Sequence, residues 1–210
     1  CTVFTNAEVA GRRQQTLHAW AGAIDLSGLP AHWRSASVIH LAPVAQDFDP
    51  RQASKVSPGY LGATPQGWMR RWPEHAFGPV TRIPLRLPSE LTMRLDAVVL
   101  SSNEYTLARD IYELVGRKAL AVMTRPRSRA RERGRSFEIP PFPAHEVDPV
   151  GAGDVFATTL FLMRSRGEST SASLRMASAA AALAIGRTGV QNVPSLDEIE
   201  DLVNDPRLIS

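Results

Sequence analysis

One stretch constrains this chain more than any other: Asp148-Pro149-Val150-Gly151-Ala152-Gly153-Asp154, followed by the apolar run Val155-Phe156-Ala157-Thr158-Thr159-Leu160-Phe161-Leu162. Glycine lets a backbone turn tightly and approach a ligand closely. The apolar run reads as a buried helix. The start of such a helix carries N–H groups without intrahelical partners and a partial positive charge, an arrangement that holds phosphate. Asp154 then falls in the first helical turn, beside that phosphate. The same residues also read as a plain glycine turn in which Asp154 merely starts the helix.

The rest of the chain alternates between two periodicities. Ser37–Ala42, Asp96–Leu100 and Ala119–Met123 are short apolar runs of the kind found in buried parallel strands, and Tyr60–Ala63 is a weaker one. Helices are predicted from about Tyr105 to Leu114, from about Ser171 to Ile185, and from Leu196 to about Asn204, the last opened by a Ser195/Glu198 capping box. Pro30–Arg34 reads as a helical turn. Cys1–Asn6 and Gly11–Leu17 read as a hairpin. Trp68 and Trp72 stand four apart, which predicts core packing on one helix face. Strands alternating with helices imply an α/β layer fold around a mostly parallel sheet. Ligands of such sheets gather at the carboxyl ends of the strands. This makes Gln46, Asp47 and the Gln66-Gly67 pair candidate substrate contacts, against the plainer reading of ordinary connecting loops. At the end of the Asp96–Leu100 strand, Glu104 suits a magnesium site beside a polyphosphate, or simply a helix start.

Composition narrows the classes further. The chain has 210 residues, 43% of them hydrophobic, which is enough for a real core. No apolar run has the length of about 20 residues that a membrane helix needs. One cysteine forms no internal disulfide, which fits a reducing cytoplasm. A net charge of +3, from 24 basic against 21 acidic residues, gives little support to nucleic-acid binding.

The motif together with its surroundings resembles the ribokinase-like (PfkB) carbohydrate kinase family. Phe142–Val147 leads in, the Ala-rich Ala177–Ile185 follows, and Gly186-Arg187-Thr188-Gly189-Val190 closes the run. That family usually shows D-T-T-G-A-G-D-x-F; here Pro149 and Val150 stand in place of the two threonines. The resemblance implies a three-layer ribokinase-like α/β fold over residues 1–210, without the N-terminal part of the family pattern, so that a start at Cys1 suggests a fragment or trimmed chain. It also implies transfer of the ATP γ-phosphoryl group to a hydroxyl of a sugar or cyclitol. Asp154 then matches the catalytic base, and Gly151, Ala152 and Gly153 the phosphate-facing backbone. Glu104 helps place Mg²⁺. Asp148 matches a residue that helps hold a monovalent cation such as K⁺. Thr124, Ser178, Gly189 and Ser101 fall at nucleotide-site positions. Asn6, with Arg12, falls on a hairpin that covers the substrate, and Asn6, Gln46 and Gln66 are the substrate candidates. Ser101–Glu104 and Pro141–Ala144 look like the inositol-kinase branch. Homodimerisation is left open, and neither nucleic acid nor membrane is an expected partner.

Two departures favour a competing reading, a catalytically weak, ligand-binding relative. The upstream third of the family pattern is not found. The family's T-x-G-x-x-G is replaced by Thr124-Arg125-Pro126-Arg127-Ser128-Arg129, with arginine at every odd position from 125 to 135. Proline cannot imitate glycine, because it lacks an N–H and fixes φ. Period two suits a strand with one charged face. With no acidic stretch near in sequence except Glu132, mutual repulsion predicts an exposed, mobile segment and weak ATP binding.

Overall fold

The computed structural model describes residues 1–9, 12–73, 77–124, 127–189 and 193–208. The chain opens with an antiparallel hairpin, β1 (Val3–Val9) and β2 (Arg12–Ala19). Gly11 of that hairpin, and the side chain of Arg12, lie outside the described residues. A helical turn, α1 (Ala31–Arg34), precedes β3 (Val38–Leu41) and β4 (Tyr60–Ala63). A small antiparallel pair, β5 (Arg70–Arg71) and β6 (Thr81–Arg82), then leads to α2 (Ser89–Arg94). After it come β7 (Ala97–Ser101), α3 (Ser102–Lys118), β8 (Leu120–Thr124), β9 (Ser128–Glu132) and β10 (Arg135–Ile139). Three helices complete the fold, α4 (Ala152–Ser165), α5 (Thr170–Ile185) and α6 (Leu196–Val203).

Six strands form the central sheet in the order β10-β9-β8-β7-β4-β3. β3, β4, β7 and β8 run parallel, and β9 and β10 are antiparallel additions at one edge. Alternation along β7 divides its side chains between two layers. Val98 and Leu100 join Leu61, Ile111, Tyr112 and Val115 beneath α3. Ala97 and Val99 join Leu120, Val122, Phe156, Leu160, Phe161 and Leu174 beneath α4 and α5. This is the expected three-layer α/β arrangement.

Several helix boundaries follow from caps. Ser195 and Glu198 form the predicted capping box of α6, and Ser169 caps α5 by accepting from Ala172 N–H at 3.2 Å. α3 begins three residues earlier than the sequence pattern suggests, because Ser101 and Glu104 make a capping box of their own. The Trp68/Trp72 expectation is wrong in its premise. A 3-10 turn over Pro65–Met69 gives way at once to β5, so no helix face exists for them to share. Trp68 is buried and donates Nε1 to Phe48 O at 2.8 Å, whereas the Trp72 ring lies tilted against Trp20, centroids 5.9 Å apart, beside the β1–β2 hairpin.

From residue 127 onward the arginine run enters paired strands and has acidic partners, against the expectation; Arg125 and Pro126 lie outside the described residues. β9 pairs with both β8 and β10. Its even-numbered residues Ser128 and Ala130 are buried, so the odd positions carry the charge as period two predicts. The acids come from elsewhere in the chain. Glu138 on β10 lies 3.4 Å from both Arg127 and Arg129, and Glu113 on α3 pairs with Arg131. Exposed pairs of this kind contribute little, roughly 0–1 kcal/mol, so the two ladders and the buried inner face hold the strand. Arg133 and Gly134 take positive φ, 48° and 81°, in a two-residue hairpin turn. The run is therefore two strands and a turn.

His40 on β3 ties the sheet to α4. Its ring lies edge-on to Phe161 at 5.0 Å, with Nε2 2.8 Å from Thr64 Oγ1 and Nδ1 3.4 Å from Thr158 Oγ1. A neutral imidazole, with one donor and one acceptor nitrogen, suits two hydroxyl partners. Burial pushes its pKa down to about 4 from an ordinary 6.5. The folded state thus resists a proton that the unfolded chain accepts, so stability is complete above pH 6.5 and falls as pH drops toward 4. One such group changes stability by at most about 1.4 kcal/mol per pH unit. Unfolding in urea at pH 7 and pH 5 should show wild type losing on the order of 2 kcal/mol relative to a His40→Gln variant. Equal pH slopes in the two proteins would refute the assignment.

Candidate functional site

α4 runs antiparallel to the parallel strands. Near its end Arg164 interacts with Tyr60, the first residue of β4, while Thr158 meets His40 further along. The N-terminus of α4 is therefore carried over the carboxyl ends of the strands, the end at which β7 gives way to Ser101 and Glu104 and β8 ends at Thr124. Gly151 caps the helix with φ 86°, a left-handed conformation that favours glycine. Its carbonyl accepts from the N–H groups of Asp154 (3.0 Å) and Val155 (2.9 Å). The N–H groups of Ala152 and Gly153 belong to the first turn, which has no intrahelical carbonyl to bind. Behind the loop, Val147 and Asp148 both donate to Ile185 O at the end of α5 (2.8 and 3.1 Å). Asp148 Oδ1 accepts from Val150 N–H at 2.9 Å, which makes it the former of the turn into the motif.

Asp154 lies open to solvent, yet its carboxyl is pushed above the usual range. The protein crowding it is the main cause, the charge of Glu104 adds to it, and Arg70 pulls the other way. Three charged side chains from three segments therefore share one electrostatic neighbourhood. Glu104 Oε2 accepts from Ser101 N–H at 2.7 Å, so this acid caps α3, and its charge also reaches Asp154. Among the described residues no three His, Cys, Asp or Glu side chains gather at a common metal position. Glu104 alone nevertheless suits magnesium, which can bind through one carboxylate together with retained waters and substrate phosphates.

Beside the helix start lies a cavity of about 160 Å³, lined by Thr124, Ser128, Phe142, Gly153, Phe156 and Ser178 among others. Ser128 and Ser178 stand hydroxyl to hydroxyl at 3.4 Å, and Thr124 Oγ1 is 3.4 Å from Leu100 O. The walls are mostly apolar with three hydroxyls, a surface suited to a flat ring. Gly153 belongs both to this cavity and to the first turn of α4. Gly189, with φ 61°, is exposed and is not among the lining residues. Sequence reasoning missed Ser128 and Phe142 as wall residues. Period two along the arginine run already placed Ser128 on the inner face.

The substrate candidates lie where the sequence put them along the chain, but their side chains are engaged. Gln46, with φ 51°, donates its Nε2 to Arg70 O. Gln66 Oε1 accepts from Arg70 Nη2 at 3.2 Å. Asp47 Oδ2 binds the N–H groups of Val44 and Ala45. Gly67 faces protein backbone: a Cβ there would sit 2.3 Å from Pro43 C and O. Asn6 accepts from Gln15 Nε2 at 2.8 Å and shares a face of β1 with Phe4, which lies against Arg70. Arg70 itself went unnoticed in the sequence, since nothing local marks it.

Residues 123–198 match the profile of the pfkB family carbohydrate kinase. The ribokinase of Bacillus subtilis (strain 168) is 32% identical over 117 residues, covering 51% of this chain and 40% of that protein. The structure of Arabidopsis thaliana ribokinase complexed with ribose and ATP superposes with a TM-score of 0.66 at 18% identity, over 93% of this chain and 66% of that one. A pyrophosphate-dependent kinase in the ribokinase family, complexed with a pyrophosphate analog and myo-inositol, superposes with a TM-score of 0.71 at 16% identity, over 89% and 70%. The match to the curated relative thus spans less than half of that relative's length.

Proposed function

We propose that this chain, a ribokinase-like protein carrying a pfkB-family segment at residues 123–198, transfers the γ-phosphoryl group of ATP to a hydroxyl of a sugar or cyclitol. The observation that carries the reading is Asp154 in the first turn of α4, behind Gly151, with Glu104 and Arg70 in its electrostatic neighbourhood and the cavity alongside. The ring of the nucleotide lies in the cavity, and its phosphates extend along Gly151, Ala152 and Gly153. Asp154 takes the proton of the acceptor hydroxyl as that oxygen bonds to the γ-phosphorus. The bond from the γ-phosphorus to the bridging oxygen breaks, and ADP leaves. The raised carboxyl of Asp154 makes it a stronger base than an ordinary aspartate. The helix-start N–H groups meet the charge that develops on the phosphoryl oxygens. Glu104 would help hold a magnesium ion, which would neutralise phosphate charge and leave Asp154 free to act as the base. Ribose and myo-inositol, the ligands named for the two superposed structures, head the acceptor panel.

The test is phosphoryl transfer from ATP with magnesium to pentoses, hexoses, myo-inositol and nucleosides, with pyrophosphate as an alternative donor. Transfer to a sugar or cyclitol supports the reading. Nucleotide binding without turnover on any acceptor supports the ligand-binding relative instead, a reading kept by Pro126 and Arg129, which stand where the family has glycine. Glu104→Gln should raise the magnesium concentration needed for half-maximal rate several-fold while leaving stability unchanged, because glutamine at this position still completes the capping box. An unchanged magnesium dependence would reduce Glu104 to a cap. Among the described residues, no helix is long and apolar enough to cross a membrane.

A further inference from the structure

Arg70 touches more separate parts of the site than any single sequence candidate. Its Nη1 donates to Val44 O at 2.6 Å, in the loop after β3, and its Nη2 to Gln66 Oε1 at 3.2 Å, in the turn after β4. Its own carbonyl accepts from Gln46. The guanidinium carbon lies 5.3 Å from the centre of the Phe4 ring, on β1. Asp154 is in electrostatic reach from α4. One side chain thus links the hairpin, two strand-end loops and the start of the motif helix.

The hairpin has further ties to the body of the fold, and Leu17 of β2 is fully buried. β2 pairs through Leu17 N to Gly78 O (2.9 Å) and Val80 N to Gln15 O (2.8 Å), just ahead of β6. Trp20 lies tilted against Trp72. Both contacts lie on the β5–β6 side, where Arg70 opens β5. On β1, Asn6 shares the face of Phe4, so the position of Phe4 on Arg70 also sets where Asn6 stands relative to Asp154.

We propose that Arg70 is a positioning residue of the transfer reaction: it holds the β1 face that carries Phe4 and Asn6 across the groove, so that the acceptor is presented to Asp154. The inference rests on the phosphoryl-transfer reading. A planar guanidinium meets both carbonyl acceptors and an aromatic face together; an ammonium on a flexible stem retains the charge but not the fork. The acceptor should therefore feel its loss more than the donor, whose cavity is lined neither by Arg70 nor by the hairpin.

The experiment compares wild type, Arg70→Met and Arg70→Lys. Steady-state kinetics should show the acceptor KM of Arg70→Met raised about tenfold or more, with the ATP KM changed less than about twofold and Arg70→Lys in between. Hydrogen exchange of the β1 amides, read without substrate, should be faster in Arg70→Met while exchange in β7 and β8 is unchanged. Parallel rises in both KM values, or faster exchange throughout the protein, would make Arg70 a general structural tie and overturn the proposal. An active Arg70→Met with unaltered acceptor KM would overturn it too, leaving the kinase reading intact. A wild type that is inert on every acceptor would remove the kinase reading, and with it any role of Arg70 in the reaction.

Discussion

Replacing Asp154 by asparagine is expected to leave a folded, nucleotide-binding protein whose turnover is lower by about 10²–10⁴-fold, the usual contribution of a general base. Asparagine preserves the shape of the side chain and can still accept a hydrogen bond, but it cannot take a proton at neutral pH. Folding should not suffer. The carboxylate is disfavoured where it stands, by the crowding around it and by Glu104. Neutralising it removes that cost, so the thermal midpoint of the variant should equal or exceed that of wild type. The two readouts together separate a base from a structural acid, because a helix-start acid that only complements the dipole would show the opposite pattern, with stability lost and turnover kept. Near-normal turnover in the variant would remove Asp154 from the chemistry.

The layers and the motif were legible because local signals fixed them. The apolar runs of β7 and β8, buried on both faces, read as parallel strands without any knowledge of their neighbours. Ser195 and Glu198 announced α6 through a short-range exchange of hydrogen bonds. Gly151 and Asp154 were found for the same reason, since the turn and the helix start are made within seven residues.

What could not be read depends on partners distant in sequence. Arg127 and Arg129 look self-repelling until β10 brings Glu138 opposite, and Arg131 until α3 brings Glu113. Gln46 and Gln66 looked like free polar side chains at strand ends until Arg70 engaged both. Gly67 suggested a close ligand, but the close neighbour is Pro43 backbone. In each case the residue type was read correctly, and the occupant of the space opposite was not. Glu104 is the instructive middle case. Its short-range role, the cap, was one of two readings, and only the fold could show that the cap and the proximity to Asp154 coexist.

Substitution of Gly62 by alanine should damage the core heavily for a single added methyl. Glycine inside a strand weakens it, and often marks close approach of another group. Here that group is the ring of Phe161. A Cβ on Gly62 would lie 2.3 to 2.5 Å from three atoms of the ring. The ring has little room to yield: Phe161 is fully buried, with His40 edge-on at 5.0 Å and Tyr60 at 6.0 Å. Either Phe161 leaves its rotamer or α4 lifts from β4. Overpacking of this kind typically costs about 1–3 kcal/mol, and the upper end is expected where both strand and helix are held by neighbours. Lifting α4 would also move Asp154 at its head, so activity should fall with stability. The steric account is tested by adding Phe161→Leu, which removes the obstructing ring. Urea unfolding of wild type, the two single variants and the double variant should give a double variant more stable than the sum of the single losses predicts, by about 1 kcal/mol or more. Strict additivity would mean that the alanine acts through the strand backbone, and that the contact between Gly62 and Phe161 is not what makes glycine necessary there.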